Sequence, residues 1–299
     1  MKTVVMTGAT SGLGAVTARL IAADPEMRLL AGTRGKQVRG AETEQLDLAR
    51  LASVREFAQK ILERLGDTKI DVLLLNAGTN LRGDQRSTED GYEVVFATNH
   101  LAHYLLLRLL APQLSPTATI VITTSDTHDP KINRIAPPQH AYADLLASPP
   151  EDGGRRQGPV SFRAYASSKL CNLLTARAFA RLNEGGQVQV VAYNPGFTPD
   201  TQLNRGTSRA IRIAMRVLVP LARRFAHINT AEEAGRTLAD LALGSARPPE
   251  GRLYASLVRG KLTWPDPSRL AQSDDAMTSL WRESALLVGL KSVAEGTVE

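Results

Sequence analysis

Tyr165 and Lys169 stand four residues apart in Phe162 to Leu182, a stretch with helical periodicity, so the phenol and the ammonium share one face. A phenol has an ordinary pKa of roughly 10 and is a poor acid-base group near neutrality; a fixed cation beside it favours the phenolate and tunes it as a proton donor. On its own such a pair is commonplace on solvated helix faces and needs partners to acquire meaning. Ser125 follows the apolar run Ala118 to Thr124, which reads as a strand. At that strand's C-terminal end the hydroxyl either holds a carbonyl oxygen or simply caps the strand.

A second group of residues has the chemistry of an anion cradle. Lys2 to Met6 reads as a strand and Ala15 to Ala23 as a helix, and between them lies Thr7-Gly8-Ala9-Thr10-Ser11-Gly12-Leu13-Gly14. Glycines at positions 8, 12 and 14 let a pyrophosphate approach backbone N–H groups at a helix N-terminus; the plainer reading is a tight turn. At the end of the next strand, Arg28 to Thr33, a site for NAD would carry an acidic residue for the ribose 2′-hydroxyl. Here Thr33 removes that carboxylate, and Arg34 offers a guanidinium fork suited to a 2′-phosphate, unless it is a solvated surface arginine. The pattern favours NADP over NAD. Asp47 and Leu48, before the next helix, either contact the adenine amino group or, through Asp47, cap that helix.

The elements that must position these residues alternate. After the first two strands come a helix Leu51 to Leu65, a continuously apolar strand Ile70 to Leu75, a long helix Gly91 to Leu110, the strand ending before Ser125, the tyrosine helix and a strand Val188 to Tyr193. Such alternation predicts a doubly wound α/β fold, a parallel sheet with helices on both faces. Two stretches interrupt it. Asp126 to Pro159, with Pro137-Pro138, Pro149-Pro150 and Gly153-Gly154, is too long for a simple connection and predicts an insertion at the sheet's mouth. The other, Thr198 to Phe225, carries Arg205, Arg209, Arg212 and Arg216 on one helical stripe and Ile211, Met215 and Leu218 on another. It reads as a lid over an apolar substrate, a solvated helix packed on the body, or a contact to an anionic membrane surface. A short helix, Asp274 to Leu287, should pack back on the body.

Composition bounds the possibilities. The 299 residues, 43% hydrophobic and 22% charged, suit one large globular domain spanning 1–299. The net charge of +6 comes mainly from scattered arginines without an aromatic-rich basic strand, so an anionic phosphorylated ligand is expected and nucleic acid is not. A single cysteine, Cys171, makes no internal disulfide and suits a reducing cytoplasm. His100 and His103 lie three apart on a helix without a third ligand at useful spacing, so no metal site is expected. His128, three residues after Ser125, is a candidate to touch substrate.

Taken in order, Thr7-Gly8-x-x-x-Gly12-x-Gly14, Asn76-Ala77-Gly78, Asn99 in Thr98-Asn99-His100, Ser125, Tyr165-x-x-x-Lys169 and Asn194-Pro195-Gly196 resemble the short-chain dehydrogenase/reductase superfamily. Asp47-Leu48-Ala49-Arg50-Leu51, Thr98-Asn99-His100-Leu101, the long insertion, Ser168-Lys169-Leu170-Cys171-Asn172 and the tail around Trp281 are similar to its retinol dehydrogenase and light-dependent protochlorophyllide reductase branch. The resemblance implies that Tyr165 protonates a carbonyl oxygen, Ser125 holds that oxygen, Lys169 binds the nicotinamide ribose and lowers the tyrosine pKa, and Asn99 positions a water-linked proton relay. It implies a cofactor site of Gly8, Thr10, Ser11, Gly12, Leu13, Gly14, Arg34, Asp47, Leu48, Asn76, Ala77, Gly78, Tyr165, Lys169, Pro195, Gly196 and Thr198. The pigment reductases place a cysteine just after Pro-Gly, and here Phe197 stands there.

The expectation is therefore an NADPH-dependent carbonyl reductase or alcohol dehydrogenase acting on a small-molecule ketone or aldehyde, with a homodimer or a monomer both open. The alternatives are a light-dependent reductase of a tetrapyrrole double bond and, from another class, a non-catalytic NADP-binding sensor.

Overall fold

Lys2–Thr7, rich in valine and threonine, forms β1, buried from Thr3 onward, third from one edge of an eight-stranded sheet. The computed structural model describes residues 1–80, 87–149, 159–199 and 228–291. On one side of β1 lie β2 (Met27–Thr33) and then β3 (Glu42–Gln45). On the other lie β4 (Ile70–Leu75), β5 (Leu114–Thr123), β6 (Gln189–Asn194) and β7 (Tyr254–Val258), all parallel. An edge strand, β8 (Lys261–Thr263), departs from the expected all-parallel sheet by pairing antiparallel with β7. Arg259 and Gly260, with φ of 50° and 71°, make its two-residue turn, the left-handed pair whose twist matches the flanking strands.

Both faces of the sheet are covered, which is why β4 can be apolar without alternation: Leu73 and Leu74 point to opposite sides and neither is exposed. Each such side chain contributes about 1.5–3 kcal/mol over leaving it in water. Helix α1 (Gly12–Ala22) packs on one face over Val4, Met6, Leu29, Leu74 and Val191. The other face carries α2 (Leu51–Leu65) and a helical run of α3 (Val94–Phe96), a π-helical turn (Ala97–Leu101) and α4 (Ala102–Leu110). This run is long and apolar enough to cross a bilayer, yet it is mostly buried inside the protein. The insertion's described part holds α5 (Ala143–Ala147), which Glu283 ties down by accepting from the Ala143 N–H at 2.6 Å. Next comes the tyrosine-bearing α6 (Pro159–Leu182), and α7 (Ala231–Leu243) joins α1 on the first face. After α8 (Arg269–Gln272), the closing α9 (Asp274–Leu287) packs on α6 as expected. There Trp281 meets Tyr104 edge-on at 4.9 Å, with the Arg108 guanidinium 5.2 Å from its ring.

Several boundaries differ from expectation for physical reasons. α1 starts at Gly12, so the glycine loop itself opens the helix. The helix expected from Gly91 starts at Val94, because Gly91 takes φ +83° and the Glu93 carboxylate caps the Phe96 N–H at 2.7 Å. β5 begins at Leu114, and its register with β4 slips between Ile70 and Val72. Residues 150–158 of the insertion, and the expected lid at 198–225 apart from Thr198 and Pro199, lie outside the described residues, as does the arginine stripe.

Strand order reverses between β1 and β4, and the register aligns Thr7 with Gly32 on β2 and Leu75 on β4, and Leu75 in turn with Ile122 on β5. Gly8, Asn76 and the Thr124–Ser125 corner therefore share one rim, outside the carboxyl ends of the strands, where doubly wound sheets bind ligands.

Candidate active site

The glycine loop is built around backbone that tolerates no side chains. Gly8 takes φ +75° and Gly12 +55°. A Cβ on Gly14 would stand 2.0 Å from the Gly8 carbonyl oxygen, and one on Gly8 would stand 2.7 Å from the Ala77 Cα. Helix α1 opens without a side-chain cap from Ser11 and without an acidic residue in its first turn. α7 shows the contrast: its N-terminus is filled by the Thr230–Glu233 capping box and carries Glu232 and Glu233. The unfilled, positively polarised end of α1 thus fits a pyrophosphate, as Gly8, Thr10, Ser11, Gly12, Leu13 and Gly14 were expected to arrange.

Asn76 ties the loop to the sheet, with Nδ2 donating to the Gly8 oxygen at 3.3 Å and Oδ1 accepting from Thr123 Oγ1 at 3.0 Å. Thr7 Oγ1 accepts from the N–H groups of Asn76 and Ala77 at 3.0 and 3.1 Å. Arg34 lies exposed just past β2. Lys36, which the motif reading passed over, donates from Nζ to the Thr10 oxygen at 3.0 Å and brings a second cation to the loop. Asp47 is not the cap of α2, whose N-cap position Arg50 occupies; its carboxylate accepts from the Ala49 N–H at 3.1 Å, beside the half-buried Leu48.

The candidate reaction centre is assembled by the end of β5 and by α6. Ser125, nearly buried, accepts on Oγ from the Thr127 N–H at 3.3 Å. Burial pushes the Tyr165 phenol up to about 12, against a hydrogen bond with Ser125 and with the Asp126 carboxylate adding to the rise. Lys169 Nζ lies 5.8 Å from the Tyr165 ring centroid and donates to the Thr123 oxygen at 3.1 Å. Burial lowers this ammonium to about 8. Desolvation is the largest influence on the phenol, which keeps its proton at neutral pH. Asn99 sits in the π-helical turn, entirely buried, its side chain clasping Thr79 through both peptide groups (2.7 and 2.9 Å) and reaching Ser168 Oγ at 3.0 Å. Gly78 completes the floor, for a Cβ there would lie 3.2 Å from Lys169 Nζ and 3.5 Å from Asn99 Oδ1. At the far side Pro195 and Gly196 form a turn, φ +66° at Gly196, followed by the buried Thr198.

The match to known proteins follows this constellation. Residues 2–136 match the family model of short chain dehydrogenases. Human retinol dehydrogenase 13 is 30% identical, the alignment covering 97% of this chain and 86% of that protein. The chain belongs to the short-chain dehydrogenase/reductase superfamily. Chloroplastic protochlorophyllide reductase of Cucumis sativus is 31% identical over 96% of this chain and 78% of its own, which puts this chain in the branch its motifs resemble. Among solved structures, a protein from Mycobacterium paratuberculosis is 26% identical with a TM-score of 0.68, covering 98% of this chain and 96% of its own. A Burkholderia cenocepacia short chain dehydrogenase in complex with NADP, 22% identical with a TM-score of 0.57 over 84% of this chain and 91% of its own, shares the fold.

The motifs do not include the residues that support the site. Thr124 Oγ1 donates to the Lys169 oxygen at 2.6 Å and Asn172 Nδ2 to the Thr123 oxygen at 3.1 Å, bolting α6 to the end of β5. His103 bridges the helical run and β1: Nδ1–H donates to the Asn99 oxygen at 3.0 Å, so Nε2 accepts from Thr7 Oγ1 at 2.9 Å. His128, expected near substrate, is buried instead. Its Nδ1–H donates to the Ser125 oxygen at 2.7 Å and its Nε2 accepts from the Ser268 N–H at 3.3 Å, which leaves neither nitrogen for a ligand. Cys171 is buried in the core and its thiol pKa is raised by burial.

Proposed function

We propose that this protein is an NADPH-dependent carbonyl reductase acting on an apolar ketone or aldehyde. The observation that carries the reading is the triad itself, a buried Tyr165 phenol with Ser125 close enough to lower its pKa and the Lys169 ammonium 5.8 Å from its ring. NADPH, when bound, supplies the hydride. Ser125 Oγ and Tyr165 Oη hold the substrate oxygen, and Tyr165 passes its proton to that oxygen as negative charge develops there. A phenol at about 12 gives up its proton only if the phenolate left behind is stabilised, and the buried Lys169 cation is the group placed to do so.

Preference for NADPH rests on Thr33 in place of a carboxylate and on Arg34 and Lys36 beside the loop. An apolar substrate is supported by Phe162, whose ring stacks on Tyr165 at 6.2 Å, and by Phe197, 52% exposed directly after the Pro–Gly turn. Phe197 also argues against the pigment-reductase chemistry of the Cucumis relative, and a reducing cytoplasm suits the single buried thiol. The test is Tyr165→Phe with NADPH oxidation followed at 340 nm. Turnover on aromatic or steroid-like ketones drops at least about a thousandfold while NADPH binding is kept; retained turnover refutes the assignment.

A further inference from the structure

The turn expected to face the nicotinamide is held by a residue far along the chain. Asn229 is 1% exposed, and its side-chain amide is fully used. Nδ2 donates to the Pro195 oxygen at 2.9 Å and to the Leu257 oxygen at 2.8 Å, and Oδ1 accepts from the Gly260 N–H at 2.9 Å. One amide therefore joins the end of β6 to both sides of the β7–β8 turn. Its own N–H donates to the Phe197 oxygen at 3.0 Å, beside a parallel bridge between Phe197 and Ile228. The chain thus leaves the sheet after Gly196 and returns at Asn229 to the same spot.

The contact has no slack. A Cβ on Gly196 would stand 2.5 Å from Asn229 Nδ2 and 2.6 Å from the Leu257 oxygen, so the turn's backbone rests directly on this amide. From the strand side, Asn194 Oδ1 accepts from the Gly196 N–H at 3.0 Å while its Nδ2 donates to Ser256 Oγ at 2.9 Å. A turn gripped between two amides cannot shift unless one of them does. Asn194 lies within the motif, whereas nothing in the motif requires Asn229.

We infer that Asn229 is a positioning residue for the nicotinamide half of the cofactor, acting by fixing the Pro195–Gly196 turn. The inference rests on the NADPH reading above, and its test separates the two halves of the dinucleotide. Asn229→Asp keeps the acceptor for Gly260 but turns carboxylate oxygen toward the Pro195 and Leu257 carbonyls. Affinities for NADPH and for 2′,5′-ADP, which lacks the nicotinamide, are measured by titration calorimetry on the native chain and the variant. NADH and ADP replace them if the native chain prefers NADH. The expected result is about tenfold weaker NADPH binding with 2′,5′-ADP unchanged within about twofold. Asn229→Ser, which loses the reach of both donors without burying a charge, shows the same split if Asn229→Asp does not fold. Equal loss for both ligands, loss for neither, or failure of both variants to fold overturns the inference, because the amide then serves the whole domain or nothing at the site. A native chain that binds neither ligand overturns the cofactor reading and the inference with it; one that binds 2′,5′-ADP as tightly as NADPH overturns the inference alone.

Discussion

Raising the pH past 8 slows reduction long before the catalytic phenol ionises. Burial brings the Lys169 ammonium down to about 8, while Tyr165 is held up at about 12, so the first proton lost on the alkaline side comes from the lysine. At pH 9 only about a tenth of Lys169 stays charged. If that charge stabilises the phenolate formed as Tyr165 gives up its proton, kcat/KM for NADPH, which reports groups of the free enzyme, falls about tenfold between pH 7 and pH 9. Lys169→Arg holds its charge throughout this range. It is slower at every pH, because a guanidinium does not reproduce the 3.1 Å contact to the Thr123 oxygen, but its profile loses the step near pH 8. The assay is NADPH oxidation with a soluble ketone from pH 6 to pH 10.5. A native profile flat to pH 10, or a step near pH 8 that survives in Lys169→Arg, refutes the role given to this ammonium.

Other consequences are equally direct. His100 and His103 are buried and lowered to about 3 and about 4, below the ordinary 6.5, so as pH falls beneath 6.5 the unfolded chain takes up protons that the folded chain refuses. Stability is then full above pH 6.5 and is lost at about 1.4 kcal/mol per pH unit for each histidine down toward pH 4. Urea unfolding of His100→Gln and His103→Gln at pH 7 and pH 5 should show a shallower loss than the native chain. Gly14→Ala puts a methyl 2.0 Å from a backbone oxygen and 2.6 Å from Asn76 Nδ2, so dinucleotide affinity falls by more than about tenfold in a fluorescence titration, with an unfolding loss on the order of 1–3 kcal/mol. Arg34→Glu raises KM for NADPH about tenfold or more and leaves KM for NADH little changed; an equal effect on the two would remove Arg34 from the 2′-phosphate.

The parts of the fold legible in the sequence were those whose burial writes a pattern. Val4, Val5, Leu73, Leu74, Ile120 and Val121 are buried on both faces of a parallel sheet and so read as continuous apolar runs. β3 did not, because Glu42–Gln45 is a short edge strand whose Glu42 and Glu44 are held by Arg28, Lys60 and Arg64 rather than by a core. Two other omissions left signals in the chain. Thr230-x-x-Glu233 before an amphipathic run is a capping box, and Arg259-Gly260 between apolar segments is a hairpin turn.

The site divides along a different line. Residues that would touch ligand fall into short motifs, because a strand end or one helix face fixes them locally, and Gly8, Gly12 and Gly14 or Tyr165 and Lys169 are examples. The groups that hold them are far apart in sequence: Thr7 with His103, Thr123 with Lys169, and Pro195 with Asn229. No spacing rule reaches across such distances, since each contact exists only once the sheet order has brought the elements together. The same distinction applies to the electrostatics of the pair. Spacing places Lys169 beside Tyr165, but the sign of the tyrosine shift depends on how much water the helix excludes and on where the ammonium turns for a partner. Nζ turns to the Thr123 oxygen, and both groups move toward their neutral forms, the phenol up and the ammonium down. A neutral phenol beside a cation that survives to about pH 8 is the pairing that the proposed proton transfer needs, and the desolvation that produces it is what a helical spacing cannot reveal.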